Sequence, residues 1–411
     1  MDLRELYRRT KCWRAHILVA LLFVIIAISP RLRADTGMCG GASLMLPFTD
    51  VPASNIFFCA IASAYFSGLT NGTSPSTYTP SQTVPREQMA AFVTRTLDQS
   101  LRRGSRRAAL NQWWTPNQFP GYAKTPVGSN PRQVASDGAD LWVANGGGTV
   151  TRVRASDGLV RQTWTNATEA AGVLVALGTV YITGGTNPGR IYTINPATPG
   201  GGQPVTLFKQ VGPVPYGIAF DGAAVWTANV GGGVSKVSIG SSELINVDTG
   251  FVQPHGILYD GSHIWVTDYG DGQLKKLNSD ATIAASVSVG SDLDGPSFPV
   301  FDGANIWVPN SNAGTVTVVR VKDSAGNPLA EPFLLATLTF NGLNNPVSAA
   351  FDGQRILVTN FDGNSVSLWK AADLTPLGSF STGVETRPNI ACSDGVNFWI
   401  TLGLGSLLLR F

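Results

Sequence analysis

The 411-residue sequence predicts a mainly β protein made of one repeated unit, with a small helical module and a signal peptide ahead of it. Three observations predict this. A proline, five residues and then Asp-Gly occur in that order six times, and an apolar triplet follows each turn. With a weaker copy counted between the first and the second of these, successive turns are 39 to 50 residues apart, which is the period of a four-stranded sheet. Glycine and proline are abundant, at 46 and 25 residues, as a turn-rich fold requires.

Residues 1–34 are predicted to be a signal peptide. Five basic side chains precede an uncharged run of thirteen residues, 17–29. That run gives a helix of about 20 Å, whereas a spanning helix must cover roughly 30 Å of hydrocarbon. We expect cleavage after Ala34, with a retained N-terminal anchor as the alternative. In both cases the bulk of the chain leaves the cytoplasm, and only this segment contacts the membrane.

Export permits disulfides, and three cysteines lie beyond residue 34. Cys39 and Cys59 are the natural pair, and two free buried thiols are the alternative. Cys392 falls in an apolar strand pattern and is expected to pack as a small hydrophobic side chain. None of these spacings is typical of a metal site.

Residues 35–100 predict a small helical module. Gly68 ends a first helix, and Pro85 stands where a second helix begins. The apolar face of the first helix consists of Ile61, Ala64 and Tyr65. The apolar face of the second helix consists of Met89, Phe92 and Val93. Residues 101–120 carry a basic run and two tryptophans, which we interpret as a linker that packs on the next domain.

The stretch from residue 48 to residue 95 resembles an S-layer homology motif. It contains Phe48-Thr49-Asp50-Val51, an aliphatic helix, a turn from Gly68 to Gly72, and Arg86 ahead of a second helix. The resemblance implies a module that attaches bacterial proteins to cell-wall polysaccharide. It implies that Arg86 binds an acidic ketal on the glycan and that Asp50 helps to shape the site. The alternative is that these two side chains form a helix cap and a surface ion pair.

Residues 121–411 contain seven copies of the repeat. Six copies begin at Pro131, Pro215, Pro254, Pro296, Pro346 and Pro388. A weaker seventh copy begins at Ala171 and turns at Leu177-Gly178. One such sheet cannot bury both of its faces, so the copies must stack, and seven can close into a ring. The sequence therefore predicts a seven-bladed β-propeller.

The two ends of this region predict how the ring closes. The last copy ends at Phe411 with no residues left for a fourth strand. Residues 121–127 lie where a fourth strand lies relative to the next blade. We therefore predict that this segment completes the last blade.

The residue after each motif proline is expected to line the mouth of the central channel, because the innermost strand begins there. These residues are Arg132, Ala171, Tyr216, His255, Ser297, Val347 and Asn389. We select Arg132, Tyr216, His255 and Asn389 as ligand-binding candidates. Only His255 is a candidate base, and catalysis also needs a partner that tunes the base. The other histidine of this region, His263, is expected to be exposed.

The repeats resemble the seven-bladed propeller of the streptogramin (virginiamycin B) lyases across residues 121–411, most clearly in Pro254-His255-Gly256-Ile257. The resemblance implies a channel-mouth site where histidines, glutamates and a magnesium ion open a cyclic depsipeptide by elimination. His255 matches one Pro-His position of that family. Gln253 stands where the family has a glutamate, and no second Pro-His pair follows. From the residues alone, His255 is a hydrogen-bond donor in the channel wall.

Polar side chains recur just beyond the apolar triplets, at Asn145, Asn229, Asp268, Asn310 and Asn360. We interpret them as hairpin turn formers, because Asn and Asp tolerate positive φ. The carboxylates Asp268 and Asp271 in one loop, with Asp292 and Asp294 in another, are spaced closely enough for calcium. The alternating pattern of a calcium loop is absent, so no metal and no cofactor are predicted.

The charge balance excludes nucleic acid as an expected partner. Beyond residue 34 the chain has 22 basic and 25 acidic side chains, a net charge of −3. We hypothesise an exported cell-envelope or surface protein whose propeller binds a partner or glycan. Its helical module would contact cell-wall polysaccharide or another surface protein. The alternatives are a propeller lyase or hydrolase that uses His255, and a purely structural envelope component.

Overall fold

The computed structural model describes residues 36–39, 42–66, 68–102, 124–198 and 202–411. The predicted signal peptide and nearly all of the predicted linker lie outside these ranges. The chain divides into two compact units, within residues 1–99 and 100–411. In the ranges just given, no helix is long and apolar enough to cross a lipid bilayer.

The first unit combines a hairpin and two helices. Strands β1 (Thr36–Cys39) and β2 (Ala42–Met45) pair antiparallel, and helices α1 (Phe58–Phe66) and α2 (Arg86–Arg102) follow. A disulfide joins Cys39 in β1 to Cys59 in α1.

The centre of the first unit is filled by aromatic and aliphatic side chains. Phe48 is fully buried and contacts the rings of Tyr65 and Tyr78. The prediction that Met89, Phe92 and Val93 form a buried apolar face of the second helix is wrong, because Met89 and Val93 are 52% and 63% exposed. The buried centre belongs to the preceding loop and α1, and residues 86–90 and 93–96 of α2 are exposed.

The second unit consists of seven four-stranded antiparallel sheets. It opens with the short strand β3 (Lys124–Pro126). Blade 1 contains β4 (Pro131–Ser136), β5 (Asp140–Asn145), β6 (Thr149–Arg154) and β7 (Val160–Trp164). Blade 2 contains β8 (Ala170–Ala176), β9 (Thr179–Gly184), β10 (Gly189–Ile194) and β11 (Thr206–Val211). Blade 3 contains β12 (Pro215–Phe220), β13 (Ala224–Asn229), β14 (Val234–Ser238) and β15 (Leu244–Val247).

The remaining four blades follow the same order. Blade 4 contains β16 (Pro254–Tyr259), β17 (Ile264–Asp268), β18 (Gln273–Leu277) and β19 (Ile283–Ser288). Blade 5 contains β20 (Val300–Phe301), β21 (Asn305–Asn310), β22 (Thr315–Lys322) and β23 (Pro328–Leu338). Blade 6 contains β24 (Pro346–Phe351), β25 (Arg355–Asn360), β26 (Ser365–Lys370) and β27 (Pro376–Ser381). Blade 7 contains β28 (Pro388–Ser393), β29 (Phe398–Leu402), β30 (Leu407–Arg410) and the N-terminal strand β3.

The blades are arranged around a central channel. The first strands of neighbouring blades contact each other all the way round, including β28 with β4. The buried apolar side chains of this unit form seven clusters, one between each pair of neighbouring blades. Burying both faces of every sheet in this way removes the need for any other core. The prediction of a mainly β, seven-bladed β-propeller is confirmed.

Closure of the ring uses the N-terminal strand, as predicted. Strand β3 pairs antiparallel with β30, with Thr125 opposite Leu408. The Thr125 hydroxyl also donates to the carbonyl of Gly158 in blade 1, at 2.8 Å. The two ends of the propeller are therefore held in one sheet without a covalent bond.

Each Asp-Gly turn is fixed by its aspartate. In blade 4, one oxygen of Asp260 accepts the main-chain N–H groups of Ser262 and His263, and the other accepts the indole N–H of Trp265 at 2.8 Å. The same aspartate–indole bond is made by Asp137, Asp221, Asp302 and Asp394. All five tryptophans are buried and pack against the following blade. The turn therefore fixes the side chain that holds two blades together.

Candidate functional site

A cavity of about 750 Å3 opens at the end of the channel where the first strands of the blades begin. Six of the seven predicted mouth residues line it, namely Arg132, Tyr216, His255, Ser297, Val347 and Asn389. The seventh, Ala171, is buried and is not among the lining residues. Its methyl group is too short to extend from the strand into the cavity.

Two further rows of residues, which the sequence did not lead us to expect, line the same cavity. One row consists of the residues immediately before each motif proline, or before its counterpart Ala170 in blade 2, and it supplies Asn130, Glu169, Val214, Gln253, Asn345 and Arg387. The other row follows each second strand, and it supplies Gly185, Tyr269, Ser311, Phe361 and Gly403. The fixed offset from the proline is the signal that could have found them.

Main-chain hydrogen bonds join these two rows in every blade. The residue after the second strand donates its N–H to the carbonyl of the residue before the proline, as Tyr269 does to Gln253 and Phe361 to Asn345, both at 2.9 Å. Six of the seven residues before the proline also have positive φ, including Val214 at 53°. Such a conformation is costly for a β-branched residue and persists only where neighbouring bonds impose it. The mouth is therefore built on a rigid main chain.

The predicted mouth residues are held from behind by threonines. Thr183, Thr267, Thr359 and Thr401 lie in the second strands and are fully buried. Each donates its hydroxyl to a carbonyl of the next blade, namely that of Tyr216, Ser297, Asn389 or Arg132. The last of these bonds, 2.9 Å long, links blade 7 to blade 1. The main chain of the site is thus positioned by contacts between blades.

His255 lies in an aromatic cluster at one side of the cavity. Its ring stacks on Tyr216 with centroids 5.1 Å apart, and it contacts Phe298 and Tyr269. Its Nδ1 lies 3.2 Å from the hydroxyl of Ser297. Burial lowers the pKa of His255 to about 4, since no neighbouring charge offsets the loss of solvation. The imidazole is therefore neutral at pH 7.

The charged side chains of the cavity lie on other blades. Arg132 of blade 1 forms an ion pair with Glu169 of blade 2, at 2.8 Å. Arg387 of blade 7 lies over the ring of Phe361, with its guanidinium carbon 5.5 Å from the ring centroid. One side of the cavity is therefore aromatic, and the side at blades 7, 1 and 2 carries the charges.

The cavity does not offer the groups that the resemblance to the lyases implies. No carboxylate in the described residues hydrogen-bonds the ring of His255. Among the described residues, Glu169 is the one acidic side chain that lines the cavity, and it is already paired with Arg132. No group of three His, Cys, Asp or Glu side chains that could hold a metal ion occurs in the described ranges. These donors do not fit a divalent cation, which needs several oxygen ligands.

His263 is half-buried rather than exposed as predicted. It contributes no atom to the cavity, and its Nδ1 is buried without a hydrogen-bond partner. Burial, followed by the nearby charge of Lys276, lowers its pKa.

Cys392 is a free thiol that packs on the apolar cluster between blades 7 and 1, and burial raises its pKa.

The recurring asparagines are not turn formers, and that prediction is wrong. All of them are buried, and none has positive φ. In blade 1 the amide of Asn145 donates to the hydroxyl of Thr151, and in blade 6 that of Asn360 donates to Ser367, at 3.0 and 2.8 Å. Asn229 and Asn310 make the same bond to Ser235 and Thr317. These amides tie the second strand to the third from inside the blade.

Blade 4 replaces this neutral pair by charges. Asp268 occupies the asparagine position and Lys275 the hydroxyl position, and their Oδ2 and Nζ atoms are 2.5 Å apart. Lys275 also contacts the carboxylate of Asp271. The two carboxylates of the first loop considered for calcium, Asp268 and Asp271, therefore bind a buried ammonium group. In the second acidic loop, Asp294 accepts the N–H and the hydroxyl of Ser291.

In the first unit, the predicted residues do not form one site. Asp50 accepts the main-chain N–H groups of Tyr78 and Thr79, at 2.9 and 2.7 Å, and so orders the loop. Arg86 is exposed at the first position of α2. A cavity of about 600 Å3 in this unit is lined by Tyr78, Gln88 and Arg95 among others, but not by Arg86.

The propeller is similar to several solved structures. Virginiamycin B lyase from Staphylococcus aureus matches with 13% identity and a TM-score of 0.57, over 69% of this chain and 94% of that chain. The hydrazine synthase of Kuenenia stuttgartiensis matches with 17% identity and a TM-score of 0.55, over 69% and 95%. The β-propeller domain of Cps50 (Swd1) from Myceliophteria thermophila matches with 11% identity and a TM-score of 0.57, over 69% and 97%.

Proteins with different names thus share this architecture at low identity, so the likeness defines the fold and not the reaction. No protein-family model and no curated protein sequence matches the chain. The chain contains a seven-bladed β-propeller similar to that of virginiamycin B lyase.

Proposed function

We propose that this chain is an exported cell-envelope protein whose propeller binds a partner or glycan at the channel-mouth cavity without catalysis. One observation carries the proposal. The cavity collects aromatic rings, amides and guanidinium groups from several blades on a rigid main chain, and among the described residues no carboxylate hydrogen-bonds the ring of its histidine. Aromatic faces and a few fixed polar groups are what ligand sites use for affinity and orientation.

The alternative, a lyase or hydrolase that uses His255, draws support from the shared fold alone. A general base works best when its pKa lies near the operating pH. The pKa of His255, about 4, gives little driving force for proton abstraction at pH 7. The residue is better suited to packing and hydrogen bonding in the cavity wall.

The helical module supports a second part of the proposal, contact with cell-wall polysaccharide. The exposed guanidinium of Arg86 at the start of α2 is accessible to an anionic group on a glycan. Sedimentation with purified cell wall tests this contact. We expect Arg86→Ala to reduce retention, whereas Arg154→Ala in the propeller leaves it unchanged. Equal retention of both variants would remove Arg86 from the proposal.

Two measurements separate binding from catalysis in the propeller. Envelope polysaccharide immobilised on a sensor should retain the wild-type chain and release Tyr269→Ala, which loses an aromatic face of the cavity. Cyclic depsipeptide should remain intact with the wild type and with His255→Ala alike. Turnover by the wild type that disappears in His255→Ala would establish the lyase alternative instead.

A further inference from the structure

We propose that the ligand of the channel-mouth cavity is an acidic saccharide whose carboxylate is bound by Arg387, with Arg132 beside it. This inference rests on the proposed function, because it names the chemical class of the ligand for the same cavity. Two observations support it: the charges of the side chains that line the cavity, and the blades that supply the charged and the aromatic side chains.

The cavity has an excess of positive charge. Its lining contains two guanidinium groups and one carboxylate. The carboxylate, Glu169, lies 2.8 Å from Arg132 and neutralises that side chain. For Arg387, no carboxylate of the described residues lies within the 4 Å of an ion pair. An unpaired guanidinium in a cavity favours an anionic ligand.

The main chain of Arg387 is held in place. Its φ is 46°, its N–H donates to Asn364 Oδ1 at 2.9 Å, and its carbonyl accepts the N–H of Gly403 at 2.9 Å. Positive φ recurs at this position in other blades, so it belongs to the repeat rather than to this arginine alone. Its guanidinium lies over the Phe361 ring. A stacked guanidinium keeps its N–H edges for a carboxylate, which it can bind through two parallel bonds.

The second arginine belongs to the neighbouring blade. Strands β28 and β4 contact each other, and Thr401 of blade 7 donates to the carbonyl of Arg132. The aromatic residues Tyr216, His255 and Tyr269 come from blades 3 and 4. A ligand that fits this layout has an acidic group at one end and a face that stacks on aromatic rings at the other.

A uronic acid sugar has both features, since its C–H face stacks on aromatic rings and its carboxylate is an anion at neutral pH. Its hydroxyls match the amides of the cavity wall, supplied by Asn130, Gln253, Asn345 and Asn389. The volume of about 750 Å3 lies within the range of roughly 300–1,000 Å3 that small-ligand sites occupy.

Calorimetric titration of the full chain tests the inference with two matched probes, tetragalacturonate and its fully methyl-esterified form. Both have the same sugar chain, and only the first is charged. We expect the wild type to bind the acid at least about tenfold more tightly than the ester, as one charge-assisted arginine contact provides. Arg387→Gln should bind both probes equally. Arg154→Gln, whose guanidinium lies outside the cavity, should keep the preference of the wild type.

The outcomes are distinguishable. Equal affinity of the wild type for the acid and the ester would overturn the acidic saccharide and leave saccharide binding in place. Binding of neither probe would overturn both this inference and the glycan form of the proposed function. A preference for the acid that survives in Arg387→Gln would overturn the role of Arg387. Unchanged melting temperatures of both variants exclude misfolding as the cause of any loss.

Discussion

At the scale of single residues, the aspartate of the Asp-Gly turn connects a local turn to the packing between blades. Asp260 is buried and accepts two main-chain N–H groups and the indole N–H of Trp265. In Asp260→Ala all three donors lose their acceptor. We expect a loss of about 3 kcal/mol in the free energy of unfolding, because a buried unsatisfied donor costs about 1–3 kcal/mol. Urea unfolding measures it.

The control for this variant is Asp280→Ala in the same blade. Asp280 accepts the N–H and hydroxyl of Thr282 in an exposed turn, where water replaces the lost acceptor. Its effect on the urea midpoint should be much smaller. If the two variants lose equal stability, the aspartate–indole bond does not stabilise the blade.

His255 makes the stability of the propeller depend on pH. Its folded pKa, about 4, is below the unfolded value of about 6.5, so the unfolded state takes up a proton first as the pH falls. The stabilisation by neutral His255 is therefore complete above pH 6.5 and decreases toward pH 4. Lowering the pH from 7.5 to 5 should reduce the free energy of unfolding by about 2 kcal/mol, because His255 is protonated in the unfolded state but not in the folded state.

The measurement is urea unfolding at both pH values for the wild type and for His255→Gln, whose side chain does not titrate. His263 also has a lowered pKa and titrates in both proteins, so the difference between them isolates His255. The variant should lose less stability on acidification. Parallel pH profiles would contradict the burial of a neutral imidazole.

The limits of sequence reasoning are clearest for individual side chains. The motif prolines placed Arg132 and Tyr216 at the cavity, because the repeat fixes where each first strand begins. The role of Asn145 was misjudged, since its partner Thr151 lies in the next strand and composition does not show which hydroxyl faces an amide. Arg387 was missed for a different reason, because only the residue after each motif proline was expected to line the cavity, whereas the residue before the proline also lines it.

At the scale of the blade, a buried polar pair joins the second and third strands in five of the seven blades. Four blades use asparagine with a threonine or serine, whereas blade 4 uses Asp268 with Lys275. A buried ion pair that loses one partner costs about 3–5 kcal/mol, because the other charge stays buried. Lys275→Thr alone should therefore reduce the free energy of unfolding by about that amount.

The double variant Asp268→Asn/Lys275→Thr recreates the neutral pair of blades 1, 3, 5 and 6. We expect it to recover more than half of the stability that Lys275→Thr loses, with urea unfolding as the measurement. A double variant no more stable than the single one would show that the blades do not use equivalent pairs.

The order of the strands within each blade followed from the period of the sequence, but blade 5 differs in detail. Its first strand is only two residues long, and Phe298 bridges to Ser348 of blade 6 instead. Pro299, which follows, has no N–H to donate to the adjacent strand of its own sheet. A repeat pattern predicts how many blades there are, and local residues of this kind decide how regular each of them is.

At the scale of the whole molecule, stability depends on closing the ring. Strand β3 pairs with β30, and Thr401 of blade 7 donates to the carbonyl of Arg132 in blade 1. Without β3, the edge of β30 is exposed and the contact of Thr125 with Gly158 is lost. Because the cavity is lined by side chains from both ends of the propeller, the same closure also sets the geometry of the proposed site.

Deleting residues 111–126 removes β3 and tests this dependence. We expect the melting temperature to fall by roughly 5–15 °C, since a domain of this size loses about 2–4 °C for each kcal/mol. Deletion of residues 103–110, which keeps β3, serves as the control and should leave the melting temperature nearly unchanged. Calorimetry of the three proteins decides the matter. If the chain without β3 has the same melting temperature as the wild type, the contacts between blades 7 and 1 suffice to hold the ring closed.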